Sequence, residues 1–192
     1  MLSSGNGKII AIGASTGGVD ALEQILTRFP ANIPPVVLVI HMLPGMTRLY
    51  AGKLDSILKL SVKEAKSGDV LTPGRVLLAP AGKHMKIVNQ QGKLIVECYA
   101  GEKVQHVIPS VDVLFESVAK ELGPNAIGVI LTGIGADGAS GLLEMKESGA
   151  ATIGQDEKTC IVYGMPKVAK SMGAVEYELP LGQIADKILA LI

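Results

Sequence analysis

Three side chains of this sequence have the right identities for nucleophilic chemistry, and each falls just past an apolar run. Ser15 sits in the turn Gly13-Ala14-Ser15-Thr16-Gly17-Gly18, His41 follows Val36–Ile40, and Asp137 lies in the glycine-rich stretch 132–138 after Ile127–Leu131. A serine hydroxyl becomes a good nucleophile when a neighbouring histidine takes its proton. A carboxylate then holds the imidazole in one tautomer and stabilises the imidazolium that forms. The chain order Ser, His, Asp is no obstacle, because such triads are defined by geometry rather than order. The small residues around Ser15 lead into Val19, Ala21, Leu22, Ile25 and Leu26 at helical spacing, so the hydroxyl stands at the bend of a strand–turn–helix unit. Amides at the start of such a helix suit an anion, or the oxyanion that a serine nucleophile creates. The Thr16 N–H, directly after Ser15, is the donor expected on those grounds.

Taken singly, each residue has a plainer role. Ser15 could be a tight-turn or phosphate-loop serine, His41 a satisfied, partly buried histidine, and Asp137 a helix N-cap. Their coincidence at the ends of three apolar runs is what favours catalysis. A dinucleotide site fits less well: Gly13, Gly17 and Gly18 miss the G-x-G-x-x-G spacing, and Ile40-His41-Met42 stands where a ribose-binding acid belongs. A zinc site from His41, His84 and His106 fits least, since none lie at ligand spacing.

The elements that must position these residues alternate in type. Unalternating apolar strands are expected at Ile9–Ile12, Val36–Ile40 and Ile127–Leu131, with shorter ones near Val62–Ala65, Val76–Ala79, Ala151–Gly154 and Ala174–Tyr177. Helices are expected after Gly18, over Thr47–Leu58 with Thr47 as N-cap, from Ser110 to about Leu122, up to about Ser148, from Pro166, and from Leu181. Met85–Val88 and Leu94–Cys98 read as a hairpin. Strands alternating with helices predict an α/β fold: a doubly wound, mostly parallel sheet with helices on both faces and a small antiparallel hairpin. In such sheets ligands bind beyond the carboxyl ends of the strands, which is where Ser15, His41 and Asp137 fall.

Composition narrows the function. The 192 residues suffice for one domain with a continuous core, and with 48% hydrophobic but only 3% aromatic residues that core is aliphatic. Lys plus Arg and Asp plus Glu both number 18, so no basic excess points to nucleic acid or an anionic membrane surface. No apolar run is long enough to span a bilayer. The start of the chain lacks a signal peptide's pattern, and Cys98 and Cys160 form neither a C-x-x-C pair nor a disulfide framework; a cytoplasmic setting is expected. Residues 1–7 read as a tail or linker remnant, leaving 8–192 as the folded domain.

Several longer motifs carry a resemblance. Gly13–Gly18, His41-Met42 with Pro44-Gly45, Pro109–Phe115, Gly128–Gly133 with Gly135–Ala139, and Gly164-Met165-Pro166, in this order over essentially the whole chain, resemble the catalytic domain of the chemotaxis receptor methylesterase family, CheB. The resemblance implies hydrolysis of γ-glutamyl methyl esters on the cytoplasmic helices of methyl-accepting chemotaxis receptors, with methanol released, and deamidation of receptor glutamines. It implies Ser15 as nucleophile, His41 as general base and Asp137 as its orienting partner. Thr16 and the turn holding Ile134 and Gly135 are implied as the oxyanion and substrate-binding side. No metal and no cofactor is called for. The chain departs from the family pattern at Ile40 (commonly Gln), Leu43 (often Pro), Ile108 (commonly Arg) and Ile134 (usually Met), which predicts a more apolar rim around an intact triad. These departures bear on which receptor is recognised and on deamidation. The family's receiver domain is missing from these residues; the expectation is either that it was a segment in cis, removed with residues 1–7 as linker remnant, or that this domain is naturally free-standing, with a receiver as a partner in trans. Two alternatives are an esterase acting on another protein or a small-molecule ester, and a receptor-binding module with weakened activity.

Overall fold

The computed structural model describes residues 7–192, so the tail expected over 1–7 lies almost wholly outside the described residues. In chain order the first half comprises β1 (Ile9–Ala14), α1 (Gly18–Leu26), β2 (Val36–Ile40), α2 (Met46–Ile57), β3 (Ser61–Glu64), β4 (Arg75–Leu78), β5 (His84–Gln90) and β6 (Lys93–Tyr99). The second half comprises α3 (Val111–Leu122), a short 3-10 turn, β7 (Ala126–Ile130), α4 (Ala139–Glu147), β8 (Ala151–Gln155), α5 (Met165–Ser171), β9 (Tyr177–Leu179) and α6 (Leu181–Leu191).

Seven strands form one sheet in the order β3-β4-β2-β1-β7-β8-β9, and every pairing in it is parallel. β5 and β6 make a separate antiparallel hairpin. The expected doubly wound α/β architecture is therefore present. β1, β2 and β7 are buried at every position, which explains why their sequences run apolar without alternation: side chains on both faces meet helices. One core joins Ile10, Ile12 and Leu38 to α1, α2 and α6, and the other joins Ile9, Ala11, Val37 and Val39 to α3, α4, α5 and the hairpin.

From β1 the chain winds outward through β2 to the β3 edge, then returns to β7 and winds the other way. The carboxyl ends of β1 and β7 thus flank a topological switch point, the place where such sheets open a crevice. Two glycines let α3 approach that crevice. A Cβ on Gly13 would lie 2.2 Å from Val111 Cγ1, and one on Gly138 would lie 2.5 Å from the same atom. Val111, in the first turn of α3, is therefore seated over the end of β1.

Three local expectations change. The last strand is Tyr177–Leu179 rather than 174–177; Ala174 is fully buried instead as the chain leaves α5, where its N–H donates to the Ala169 carbonyl. Thr47 is not the cap of α2. Gly45 takes that position in a left-handed conformation, and the Thr47 hydroxyl, fully buried, donates to Glu64 and accepts from the Ala81 N–H. The cap of α4 is Gly138, not Asp137.

Candidate active site

β1, β2 and β7 lie side by side, so the residues following them are neighbours. Ala14 pairs with Ile40 in register, which sets Ser15 beside His41, and the His41 N–H donates to the Ala14 carbonyl at 3.2 Å. On the other side, the Ser15 N–H donates to the Thr132 carbonyl at 3.0 Å. Ser15 also begins a tight turn: its carbonyl accepts from the Gly18 N–H at 2.8 Å, and Gly17, with φ 82° and ψ −4°, has the left-handed geometry of the third residue of a type II turn. Gly133 lies directly under the nucleophile candidate, since a Cβ there would sit 2.7 Å from Ser15 Cβ.

The His41 imidazole is anchored through Nε2, which donates to Asp137 Oδ2 at 2.8 Å. Its partner is a carboxylate, so the proton belongs on Nε2 and Nδ1 keeps its lone pair, free to act as base. Both side chains are largely withdrawn from water, at 15% and 3% exposure, which strengthens the contact. Among the described residues the Ser15 hydroxyl makes no hydrogen bond to His41. Bonds of this kind often tighten only with substrate in place. Asp137 and His41 are in contact, and Ser15 stands alongside.

Asp137 is held by more than His41. The Ser110 hydroxyl donates to Oδ1 at 2.6 Å, the Val111 N–H to Oδ2 at 2.7 Å, and the Asp112 N–H to Oδ1 at 3.1 Å. These donors form the amino end of α3, where free amides and the helix dipole favour a negative charge. Burial alone would raise the Asp137 carboxyl; the bonds from His41, Ser110, Val111 and Asp112 outweigh it and hold the group below the ordinary carboxylate range. Asp137 therefore caps a distant helix rather than its own. α3 returns the arrangement: Asp112 Oδ1 accepts from the Gly141 N–H in the first turn of α4 at 2.8 Å. His84, almost fully buried, supports the same corner. Its Nδ1 accepts from the Ser110 N–H at 3.2 Å and its Nε2 donates to the Glu102 carbonyl at 2.8 Å, so neither ring nitrogen is free for a metal.

The sequence pointed to Ser110 only as a helix cap, which it also is, accepting from the Val113 N–H. Its bond to Asp137 spans 27 positions, and no local pattern signals it. A testable consequence follows from the titration. Asp137 is lowered on folding, so its ionised form contributes stability that is complete above about pH 5 and lost as pH falls through the folded value. Ser110→Ala is expected to cost about 1–2 kcal/mol at pH 7 in urea unfolding. That gap should narrow on acidification, as Asp137 protonates in both proteins. A gap unchanged down to pH 2 would mean that the hydroxyl serves the helix alone.

The oxyanion candidates are gathered too. Thr16, Ile134 and Gly135 are exposed, and among the described residues their N–H groups have no protein acceptor. The fully buried Thr132 ties their loops together: its hydroxyl donates to the Thr16 carbonyl at 2.9 Å and accepts from the Val162 N–H at 3.0 Å. The expected apolar rim needs one correction. Ile40 is 1% exposed and belongs to the core beneath Gly18, so it does not face substrate. Leu43 and Ile134 are on the rim, at 75% and 64% exposure, and Ile161 joins them at 71%. Ile161 arrives on the loop after β8 and packs on the Ser15 turn, 2.7 Å from where a Gly17 Cβ would be; nothing in the sequence foretold it.

Comparison with known proteins places this geometry in context. Residues 10–188 match the family model described as CheB methylesterase. The chain is 49% identical over 191 residues to the protein-glutamate methylesterase/protein-glutamine glutaminase of Syntrophotalea carbinolica, covering 100% of this chain and 54% of that protein. It is 52% identical over 186 residues to a second such protein from Hahella chejuensis, covering 97% of this chain and 50% of that one. The chain thus spans about half the length of the curated relatives it matches. Its fold superimposes on the crystal structure of the Thermotoga maritima CheB methylesterase catalytic domain with a TM-score of 0.94 at 40% identity, covering 97% of this chain and 99% of that one.

Proposed function

This chain belongs to the CheB methylesterase family, and we propose that it is a serine hydrolase acting on γ-glutamyl methyl esters of chemotaxis receptors, with receptor glutamines as second substrates. The observation that carries this reading is the His41 ring, at the end of the strand beside the one that Ser15 follows, anchored through Nε2 to an ionised Asp137 and with Nδ1 in no protein hydrogen bond among the described residues.

The chemistry runs as follows. Ser15 Oγ attacks the ester carbonyl while His41 Nδ1 takes its proton. The N–H groups of Thr16 and of the Ile134-Gly135 turn receive the negative charge that develops on the carbonyl oxygen. His41 then gives the proton to the departing methoxide, releasing methanol and leaving a glutamyl ester on Ser15. Water attacks that ester by the same steps in reverse, so ester plus water yields glutamate plus methanol. With glutamine the leaving group is ammonia. A positioned base contributes roughly 10²–10⁴-fold and one oxyanion donor roughly 10²–10³-fold.

The exposed apolar rim of Leu43, Ile134 and Ile161 supports a polypeptide substrate, because a surface of this kind is normally covered by another chain. No helix among the described residues is long and apolar enough to cross a membrane. The same reading assigns the domain over 8–192 to the cytoplasm, where it meets the cytoplasmic helices of methyl-accepting receptors and is regulated by a receiver domain in cis or in trans. The deciding experiment is methanol release from membranes bearing methylated chemoreceptors, run with wild type and Ser15→Ala. Release by the wild type alone is expected. Equal release by both would overturn the serine mechanism, and release by neither would overturn the receptor substrate.

A further inference from the structure

A cleft of about 570 Å³ is lined among others by Arg48, Glu64, Lys66, Ser67, Ala81 and Lys83. Its walls are the segments that follow β2, β3 and β4, so it lies at the same carboxyl edge of the sheet as Ser15. β4 is two strands from β1, so the two strands themselves are about 10 Å apart across the sheet.

The electrostatics of this cleft are unbalanced. Over the whole chain, positive and negative side chains are equal in number, at 18 each. Arg28, Lys53, Lys63, Lys86 and Lys170 all pair with carboxylates. Other basic residues are unpaired as well, but three of them, Arg48, Lys66 and Lys83, line this one cleft with no carboxylate within pairing distance among the described residues. The lone acid in the lining, Glu64, already accepts from the Thr47 hydroxyl at 2.5 Å. The amino end of α2 adds to the imbalance. Its cap is Gly45, which supplies no side-chain acceptor; its first turn holds no acid; and Arg48 occupies that turn. A cation beside the positive end of a helix dipole is unfavourable unless an anion answers both.

We propose that this cleft is a substrate subsite that takes an acidic side chain, aspartate or glutamate, from the polypeptide segment bearing the ester. The proposal rests on the ester hydrolysis put forward above. The negative group answers three exposed cations and an uncapped helix end, and it fixes the segment so that its ester carbonyl reaches Ser15. The product of each turnover is itself a glutamate, so a polypeptide carrying several esters gains the charge this cleft recognises as it is processed.

The test uses two synthetic peptides with one γ-methyl glutamate each, flanked by aspartates in one and by asparagines in the other, with p-nitrophenyl acetate as a neutral small ester. Exposed ion pairs are individually modest, so the wild type is expected to prefer the acidic peptide by roughly tenfold in kcat/KM, mainly through KM, and less at high salt. Arg48→Glu with Lys83→Glu should abolish or invert that preference while p-nitrophenyl acetate is hydrolysed at the wild-type rate. Arg48→Gln with Lys83→Gln should fall between. Equal rates on the two peptides with the wild type would overturn the subsite, as would a preference that survives charge reversal. Hydrolysis of p-nitrophenyl acetate with neither peptide cleaved would instead overturn the glutamyl ester reading on which the subsite rests.

Discussion

Ser15→Ala is expected to lower kcat for ester hydrolysis by roughly 10⁴–10⁶-fold while leaving KM and the unfolding midpoint close to wild type. The structure explains why the loss should fall on chemistry and spare the fold. Ser15 is held by its main chain, through its N–H to the Thr132 carbonyl and its carbonyl from the Gly18 N–H. The Cβ that packs over Gly133 is retained in alanine, and the hydroxyl contributes no hydrogen bond among the described residues. Removing Oγ thus deletes the proposed attacking atom and little else. His41→Ala should cost a similar factor, and the double variant should be little worse than either, because on the proposed mechanism the two groups act as one unit. Kinetics of methanol release would check this. Multiplying losses, or a Ser15→Ala enzyme retaining more than about one per cent of activity, would be incompatible with a shared nucleophile and base.

Asp137→Asn is expected to damage both activity and stability, unlike Ser15→Ala. Four donors converge on the carboxylate, from His41, Ser110, Val111 and Asp112. An amide has one oxygen to offer. In either orientation its NH₂ faces two groups that also donate. The Ser110 hydroxyl can turn to accept, but the Val111 and Asp112 N–H groups cannot. A cost of about 2–4 kcal/mol in urea unfolding is expected from the unmatched buried donors. If the amide oxygen faces His41, the imidazolium loses its counter-charge; if the NH₂ does, the ring must hold its proton on Nδ1 and has no lone pair for Ser15. Either outcome should lower kcat by roughly 10³–10⁴-fold. Wild-type stability combined with less than a tenfold loss in kcat would show that Asp137 neither caps α3 nor orients His41.

The strands and most helices were legible because burial on both faces leaves a strong mark: β1, β2 and β7 are runs of Ile, Val, Leu, Ala and Gly that end where the chain turns. Boundaries were less legible, since a strand's end is set by its neighbours as well as its own residues. β9 pairs with β8 through Tyr177–Leu179, and the apolar Ala174 upstream is buried without joining the sheet. Thr47 and Asp137 show the same limit for polar side chains. Both stand beside a helix start and suit an N-cap by local preference. The tertiary structure offered each a better partner, Glu64 and Ala81 for Thr47 and the amino end of α3 for Asp137.

By itself the sequence determined where reactive groups could stand. Apolar runs must become buried parallel strands, and the first polar residues beyond them must line the carboxyl edge, so Ser15, His41 and Asp137 were bound to share one rim of the sheet. What only the tertiary structure decided is how they are aimed. The choice of Nε2 for Asp137, the Ser110 bond to its carboxylate, and the Thr132 hydroxyl on the Thr16 carbonyl join residues 96, 27 and 116 positions apart. The same holds for the gathering of Arg48, Lys66 and Lys83 around one cleft. Such contacts leave no periodicity in the chain, because their geometry is set by which strands and helices pack together and by the glycines at 13 and 138 that admit Val111 over the end of β1.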